Sequence, residues 1–313
     1  MTARTWDVVV VGSVNTDTLV RGPRLPRPGE TVRGEELYEG LGGKGANQAV
    51  AAARLGARVA LVANVGRDGR GDQALARLRA DGVDVSPVTR DESVPTGAAI
   101  IMVDHAGQKA ICVAPGANDR LTPERVRAAA DVIRAAKVVL CQLEVPLPAV
   151  AEALRLARSA GARTVLDPAP ALPLPDDLLR LVDVIRPNSH EAEALTGIPV
   201  GDRATARRAA DWLRSHGAGA AAVQGGEEGN LFLDGGGETW VPKLPVPAVD
   251  ATGAGDALAA ALAVALAEGR PLSEAGRFAS AAAALATTKL GAQEGLPRRE
   301  QIHELLARHA GPP

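Results

Sequence analysis

The sequence predicts a single α/β domain spanning residues 1–313, a three-layer sandwich around a mostly parallel sheet with a small β lid. Short β-branched runs alternate with helical stretches along most of the chain, which is typical of a parallel sheet with right-handed crossovers. Apolar residues make up 46% of the chain, enough for a large core. Two segments, about 15–40 and 96–114, interrupt this alternation, and both are assigned to the lid.

The first strand is predicted over Asp7–Gly12, a β-branched run typical of a strand buried on both faces. Arg21–Glu36 contains three prolines and three glycines, which favours a loop or a short edge ribbon. Thr96–Val103 and Lys109–Val113 flank a turn sequence, so they are predicted to pair as a hairpin.

The remaining elements continue the alternation. Strands are predicted over residues 58–64, 83–88, 138–142, 163–166, 181–186, 217–224, 230–233 and 238–241. Helices are predicted over residues 49–55, 72–81, 123–135, 147–160, 272–290 and 298–308.

Composition excludes several classes of function. The 35 Lys and Arg residues nearly balance the 37 Asp and Glu residues, which argues against nucleic acid or an anionic membrane and favours a small-molecule partner. Cys112 and Cys141 lie far apart in apolar runs, so both are expected to be buried hydrophobic side chains. The N-terminus has no signal-like apolar region and no apolar run reaches about 18 residues, so a cytoplasmic location is expected.

Val249–Leu262 is the most informative stretch. Its Gly253, Ala254 and Gly255 lead into an Ala/Leu segment, so they are predicted to start a helix whose free N–H groups form an anion site. A carboxylate beside such a site repels phosphate unless it faces the other reactant, which suits Asp256 as the group that accepts a proton from an attacking hydroxyl. The alternative is that Asp256 only caps its helix.

A second glycine-rich turn, Gly40–Ala49, also precedes a helical stretch. Lys44 and Asn47 supply donors for hydroxyl or phosphate oxygens. The turn is not a Walker A loop, because Gly45 stands where Ser or Thr would follow the lysine. A solvated lysine on an ordinary turn is the alternative.

Polar residues follow several predicted strands and are expected to gather at one edge of the sheet. They are Asn15, Asp17, Glu144, Asn188 and Glu191. Asn188 and Glu191 also have capping-box spacing, and the two roles can coexist. Asp167 stands before a proline and is interpreted as a turn residue.

Three motifs together resemble the ribokinase branch of the PfkB carbohydrate kinases, from Val8 to about Leu305. They are GGKGANQAVAAARL at 42–55, NxxE at 188–191 and DATGAGD at 250–256. The resemblance implies a ribokinase-like fold and ATP-dependent phosphorylation of the 5-hydroxyl of D-ribose. It also implies Mg²⁺, a monovalent cation such as potassium, and a homodimer formed through the lid.

Matched position by position, the resemblance assigns roles to individual residues. Asp256 is the base, with Gly253, Ala254 and Gly255 as its anion hole. The sugar set is Asn15, Asp17, Gly43, Lys44, Asn47, Ala99 and Glu144, with Ile101 and Val113 as further lid contacts. The nucleotide and Mg²⁺ set is Asn188, Glu191, Gln224, Gly226, Gly229 and Gly255. The monovalent cation set is Asp250, Thr252, Ala286, Lys289, Gly291 and Gly295.

Two positions depart from the family pattern. Gln224 stands where a threonine is common, and Gly295 stands where a serine often supplies a hydroxyl. The alternatives within the same class are a kinase for another small sugar or a nucleoside, the latter disfavoured because only 2% of residues are aromatic. A catalytically silent sugar-binding protein is the alternative of another class, and the presence of Asp256 and its glycines argues against it.

Overall fold

The computed structural model describes residues 4–309. Its strands are β1 Trp6–Val11, β2 Asn15–Arg21, β3 Glu36–Gly42, β4 Val59–Val62, β5 Asn64–Gly66, β6 Val83–Asp84, β7 Thr89–Asp91, β8 Gly97–Val103, β9 Lys109–Ala114, β10 Ala136–Gln142, β11 Arg163–Asp167, β12 Val184–Ile185, β13 Ala220–Gln224, β14 Gly229–Asp234 and β15 Gly237–Pro242. Its helices are α1 Lys44–Arg54, α2 Gly69–Ala80, α3 Pro123–Ala128, α4 Ala130–Arg134, α5 Leu147–Ser159, α6 Asp176–Leu179, α7 Ser189–Thr196, α8 Arg203–Ser215, α9 Ala254–Ala267, α10 Leu272–Ala286 and α11 Arg299–His309.

A nine-stranded sheet forms the middle layer, in the order β15-β14-β13-β12-β11-β10-β1-β4-β6. The strands from β13 to β6 are parallel, and β14 and β15 are antiparallel at one edge. Alternate side chains of β1 enter two separate cores: Val8 and Val10 face α1, α2, α9, α10 and α11, whereas Val9 and Val11 face α3, α4, α5, α7 and α8. The predicted three-layer sandwich around a mostly parallel sheet is therefore confirmed.

A separate four-stranded sheet, in the order β3-β2-β8-β9, continues from the carboxyl end of β1, and we call it the lid sheet. In the register of this sheet Asp17 stands beside Ala99, and Ala99 beside Val113. These three side chains therefore share one face of the lid sheet, because residues in register point to the same side.

Helix α9 is the central helix of one outer layer and packs on both α1 and α10. It begins after Gly253, whose φ of 80° lies in the left-handed region that glycine favours. From Asp256 to Leu266 every residue is buried, and most are alanine. Small side chains allow the neighbouring helices to approach closely, so the start of α9 is held firmly against the sheet.

Several predicted boundaries are wrong for identifiable reasons. Helix α1 starts at Lys44 instead of residue 49, since Gly43 adopts a φ of 85° and the glycine-rich turn continues as helix. The predicted helix 123–135 is interrupted at Ala129, the predicted helix 272–290 ends at Ala286, and the predicted strand 83–88 keeps only two residues. Helix α8 was not predicted. Cys141 is buried as expected, but Cys112 on the lid sheet is exposed.

Candidate active site

Asp256 lies in the first turn of α9 and is only 5% exposed. Its two carboxylate oxygens accept hydrogen bonds from consecutive residues of α1: Asn47 Nδ2 donates to Oδ2 at 2.9 Å, and Gln48 Nε2 donates to Oδ1 at 3.0 Å. Gln293 Nε2 donates to Asn47 Oδ1 at 2.9 Å, which fixes the orientation of that amide. Asp256 is thus held by side chains of another helix and does not simply cap its own.

Lys44 and Glu144 meet at the N-terminus of α1. The backbone N–H of Lys44 donates to Glu144 Oε2 at 2.9 Å, and the Ser13 hydroxyl donates to the same oxygen at 2.6 Å. Burial by itself lowers the pKa of Lys44, but the charges of Asp256, Asp167 and Glu144 outweigh burial and raise the pKa above its ordinary value. The ammonium group therefore stays protonated.

Asp17 and Asn15 project from the start of the lid sheet towards the same edge of the main sheet. Asn118 Nδ2 donates to Asn15 Oδ1 at 2.7 Å, which fixes the Asn15 amide. Asp17 Oδ1 is buried without a hydrogen-bond partner among the described residues. Burial, together with the nearby negative charges of Glu144 and Asp256, raises the pKa of Asp17 to about 6. An unpartnered carboxylate oxygen at this position suits a ligand that donates hydroxyl groups.

Asp167 is not the turn residue that the sequence suggested. It is fully buried at the end of β11, where Gln48 Nε2 donates to Oδ2 at 2.8 Å and Arg186 Nη1 donates to Oδ1 at 3.3 Å. Burial raises its pKa, while Lys44 and Arg186 oppose that shift. One amide group of Gln48 therefore serves both Asp167 and Asp256, and Gln142 Nε2 donates to Gln48 Oε1.

A cavity of about 410 Å³ opens beside Asp256 and Lys44. It is lined by all of the predicted nucleotide set and the predicted anion hole, namely Asn188, Glu191, Gln224, Gly226, Gly229, Gly253, Ala254 and Gly255. Gln224 Nε2 donates to the Gly226 carbonyl at 3.3 Å, so this amide stabilises its own loop. A larger cavity of about 530 Å³ lies at the opposite edge of the sheet, near Arg163, and contains none of the predicted site residues.

Asn188 and Glu191 form the capping box that their spacing predicts. Asn188 Oδ1 accepts the N–H of Glu191, while the two carboxylate oxygens of Glu191 accept the backbone N–H and the Nδ2 of Asn188, each at 2.8 Å. Each of these carboxylate oxygens keeps a further lone pair. Within residues 4–309 no cluster of three or more His, Cys, Asp or Glu residues is placed to bind a metal ion. The residues fit a Mg²⁺ ion that is held largely by phosphates and water.

The predicted monovalent cation set gathers where the loop before α9 meets the segment after α10. Asp250 Oδ2 accepts the N–H of Gly291 at 3.1 Å, and Thr252 Oγ1 donates to Asp250 Oδ1 at 2.7 Å. The ammonium of Lys109, from β9 of the lid sheet, lies 3.1 Å from both Asp250 Oδ1 and Thr252 Oγ1. Burial opposes ionisation of Asp250, but these hydrogen bonds lower its pKa to about 2. The site is therefore anionic and already attracts a cationic group of the chain itself.

Two further members of that set, Gly295 and Lys289, differ in how tightly the chain encloses them. A Cβ added to Gly295 would lie 2.0 Å from the Ala286 carbonyl oxygen, so the backbone here has no room for the serine that often stands at this position. The side chain of Lys289 is exposed.

The chain is similar in sequence to known carbohydrate kinases over almost its whole length. The model for the pfkB family carbohydrate kinases matches residues 6–299. The chain belongs to the PfkB family. Ribokinase from Haemophilus influenzae is 39% identical over 300 residues, which cover 96% of this chain and 98% of that protein. Ribokinase from Bacillus subtilis is 40% identical over 304 residues, which cover 96% of this chain and 99% of that protein.

A solved structure extends the likeness to three dimensions. Ribokinase from Arabidopsis thaliana, in complex with ribose and ATP, superposes with a TM-score of 0.90 at 34% identity, covering 96% of this chain and 98% of that one. The predicted membership in the PfkB family and the predicted ribokinase-like fold are confirmed. Among the helices of residues 4–309, none has the length and apolar character needed to cross a membrane.

Reasoning from the sequence missed several residues of this PfkB site. Gln48 follows Asn47 directly, and its helical position was the only signal that it faces Asp256. Arg186 directly follows β12, so its place after a strand was available as a signal. The contact of Lys109 with Asp250 had no sequence signal, because the two residues lie 141 positions apart.

Proposed function

We infer that this protein is an ATP-dependent ribokinase, which transfers the γ-phosphoryl group of ATP to the 5-hydroxyl of D-ribose. One observation carries the inference: the buried carboxylate of Asp256 borders the cavity lined by the nucleotide set and accepts a hydrogen bond from Asn47 of the sugar set. The ribokinase relatives, similar over almost the whole chain, support the same activity.

The chemistry follows from the groups at this point. Asp256 orients the primary hydroxyl and accepts its proton as the new O–P bond forms and the bond to ADP breaks. The N–H groups at the start of α9 stabilise charge on the transferring phosphoryl group. Lys44, which stays protonated, supplies a positive charge beside the same cavity.

Sugar recognition is assigned to the residues between the lid sheet and α1. The free Asp17 Oδ1 accepts a hydroxyl donor, and Glu144 Oε1 has no hydrogen bond to a described residue, so it is available for a second. Asn15 and Ala99 are buried beside them, and Gly43 allows the backbone of Val14 and Asn15 to approach the start of α1 closely. The side chain of Asn47 bonds to Asp256, so we assign it to holding the base as well as to the sugar.

Two metal ions belong to the proposal. Mg²⁺ would neutralise phosphate charge when bound, and Asn188 and Glu191 would hold it through water. A monovalent cation, K⁺ in the first instance, binds near Asp250, Thr252 and Gly291, with the carbonyl groups of Ala286, Lys289 and Gly295 as further candidates. Lys109 shares the oxygens of Asp250 and Thr252, so we propose that the cation and the lid lysine compete for them.

A homodimer through the lid sheet is also proposed. Leu37, Ile111, Val113 and Ile100 of this sheet are 68%, 59%, 51% and 44% exposed. In the register of the lid sheet Ile111 and Val113 share the face of Asp17, and Leu37 and Ile100 share the other face. Each face therefore exposes two large apolar side chains, and such exposed apolar residues are typical of interaction surfaces. A cytoplasmic location remains a prediction from the sequence.

A coupled assay of ADP release tests the function. Purified protein is mixed with ATP, Mg²⁺ and a panel of pentoses, hexoses and nucleosides, with and without K⁺. We expect the highest kcat/KM with D-ribose, and phosphorus NMR of the product should show a phosphate ester at the 5-position. A higher kcat/KM for another sugar or a nucleoside would identify a different acceptor, and sugar binding without ADP release would favour a silent binding protein.

A further inference from the structure

We propose that Arg186 binds the β- and γ-phosphate groups of the nucleotide, beside the N-terminus of α9. This inference rests on the proposed kinase function and adds a residue that the family motifs do not single out. Arg186 directly follows β12 and stands two residues before Asn188, the N-cap residue of α7. The strand therefore delivers the guanidinium to the edge of the sheet where the predicted site lies.

The guanidinium lies directly against the predicted anion hole. A Cβ added to Gly255 would lie 3.0 Å from Arg186 Nη1 and 3.6 Å from Nη2. The missing side chain at position 255 therefore leaves space for the guanidinium next to the first amides of α9. Arg186 also lines the 410 Å³ cavity together with Lys44, Glu191 and Asp256.

The hydrogen bonds of Arg186 leave donors available for a ligand. Its side chain is 8% exposed, and its single hydrogen bond to the described residues runs from Nη1 to Asp167 Oδ1 at 3.3 Å. An arginine side chain has five N–H donors. The remaining donors face a cavity that has the size and position for a nucleotide, and planar paired donors are well suited to phosphate oxygens.

A purely structural ion pair with Asp167 explains the arrangement less well. Arg–carboxylate pairs are frequently bidentate and usually shorter than 3 Å, whereas here one nitrogen lies 3.3 Å from Asp167, and Gln48 is the closer donor at 2.8 Å. The arrangement instead suggests that Asp167 steadies the inner edge of the guanidinium. Through Gln48, the same carboxylate is connected to Asp256. A phosphate bound at Arg186 would then lie on the nucleotide side of the base.

The test is a binding series with nucleotides that differ only in phosphate number. Adenosine, AMP, ADP and ATP are titrated by calorimetry into the wild-type protein, Arg186→Gln, Arg186→Lys and the control Arg125→Gln. Arg125 forms a part-buried ion pair with Asp91 at 2.8 Å, away from the cavity. We expect Arg186→Gln to weaken ADP and ATP binding at least tenfold while adenosine and AMP change less than threefold.

Arg186→Lys is expected to restore part of the loss, because lysine keeps the charge but not the paired donors. If Arg186→Gln does not fold, Arg186→Lys carries the test by the same ratio of ATP to adenosine affinity. Unchanged ADP and ATP affinity, or an equal loss for all four ligands, would overturn the proposal. A wild-type protein that binds ATP but does not phosphorylate ribose would refute the proposed function alone, and one that binds no ADP or ATP would refute both.

Discussion

Asp256→Asn is expected to lower kcat by 10²- to 10⁴-fold, the range typical of a positioned general base. That loss corresponds to about 3–5 kcal/mol of transition-state stabilisation. The structure explains why the asparagine is a poor substitute. The amide groups of Asn47 and Gln48 both direct NH₂ groups at the carboxylate, and Gln293 and Gln142 hold them in that orientation.

The same geometry sets the expected cost in stability. The asparagine has one acceptor oxygen, so its NH₂ group must face the NH₂ group of either Asn47 or Gln48. That arrangement leaves a hydrogen bond unmade at a cost of about 1–3 kcal/mol. The melting temperature should therefore fall by only a few degrees, and the affinity for ribose should change little.

Steady-state kinetics, ribose titration by calorimetry and thermal melts separate these effects. Asp72→Asn is the matched control, because Asp72 also lies in the first turn of a helix but is exposed and pairs with Arg90. If Asp256→Asn keeps kcat within tenfold of the wild-type value, or if the control loses as much activity, the assignment of the base is refuted.

Three other substitutions probe the sugar, Mg²⁺ and K⁺ contacts. Since the pKa of Asp17 is raised from 3.8 to about 6, its contribution to stability is complete below pH 3.8 and is lost as pH rises through 6. In urea melts, Asp17→Asn should therefore raise the free energy of unfolding at pH 8 by up to ~3 kcal/mol, but not at pH 3.5. In calorimetry the same substitution should weaken ribose binding. Glu191→Gln keeps one of the two oxygens that bond to Asn188, so its melting temperature should fall by only a few degrees, while activity at limiting Mg²⁺ falls on the order of tenfold in a Mg²⁺ titration. Lys109→Met frees Asp250, so the K⁺ concentration for half-maximal activity should fall severalfold. The control Lys137→Met alters a remote lysine and should leave that concentration unchanged. Equal K⁺ curves for both variants would argue against competition.

The layered fold could be predicted from the sequence because its signals are local. The β-branched run at Val8–Val11 indicates a strand, and the Ala-rich sequence of α9 indicates a helix. The alternation of such segments along the chain predicts the parallel topology. Boundaries in glycine-rich segments were less predictable. The glycine-rich turn continues directly into α1 because Gly43 adopts a φ of 85°, and that conformation depends on packing against the backbone of Val14 and Asn15.

The candidate site was predicted where a motif named the residue and was missed where contact depends on tertiary structure. The placing of Lys44 and Asp256 beside one cavity agrees with the expectation from their motifs. Asp167 was misinterpreted because an Asp followed by Pro is also common in turns. Only its burial distinguishes a residue of the site from a turn residue. Gln48 and Arg186 carry no motif, and only the converging ends of β11, β12 and α1 bring them to Asp256.

The dense packing of α9 has a consequence for redesigning acceptor preference. Residues 259 to 263 are fully enclosed, so a larger side chain there shifts the helix and the catalytic acid with it, whatever sugar is bound. The neighbours of Asp17 on the lid sheet lie outside both cores: Ala99 on β8 is buried but belongs to neither core, and Val113 on β9 is half exposed. New sugar specificities should therefore be sought by varying β8 and β9, where a change of shape leaves the phosphorylation chemistry in place.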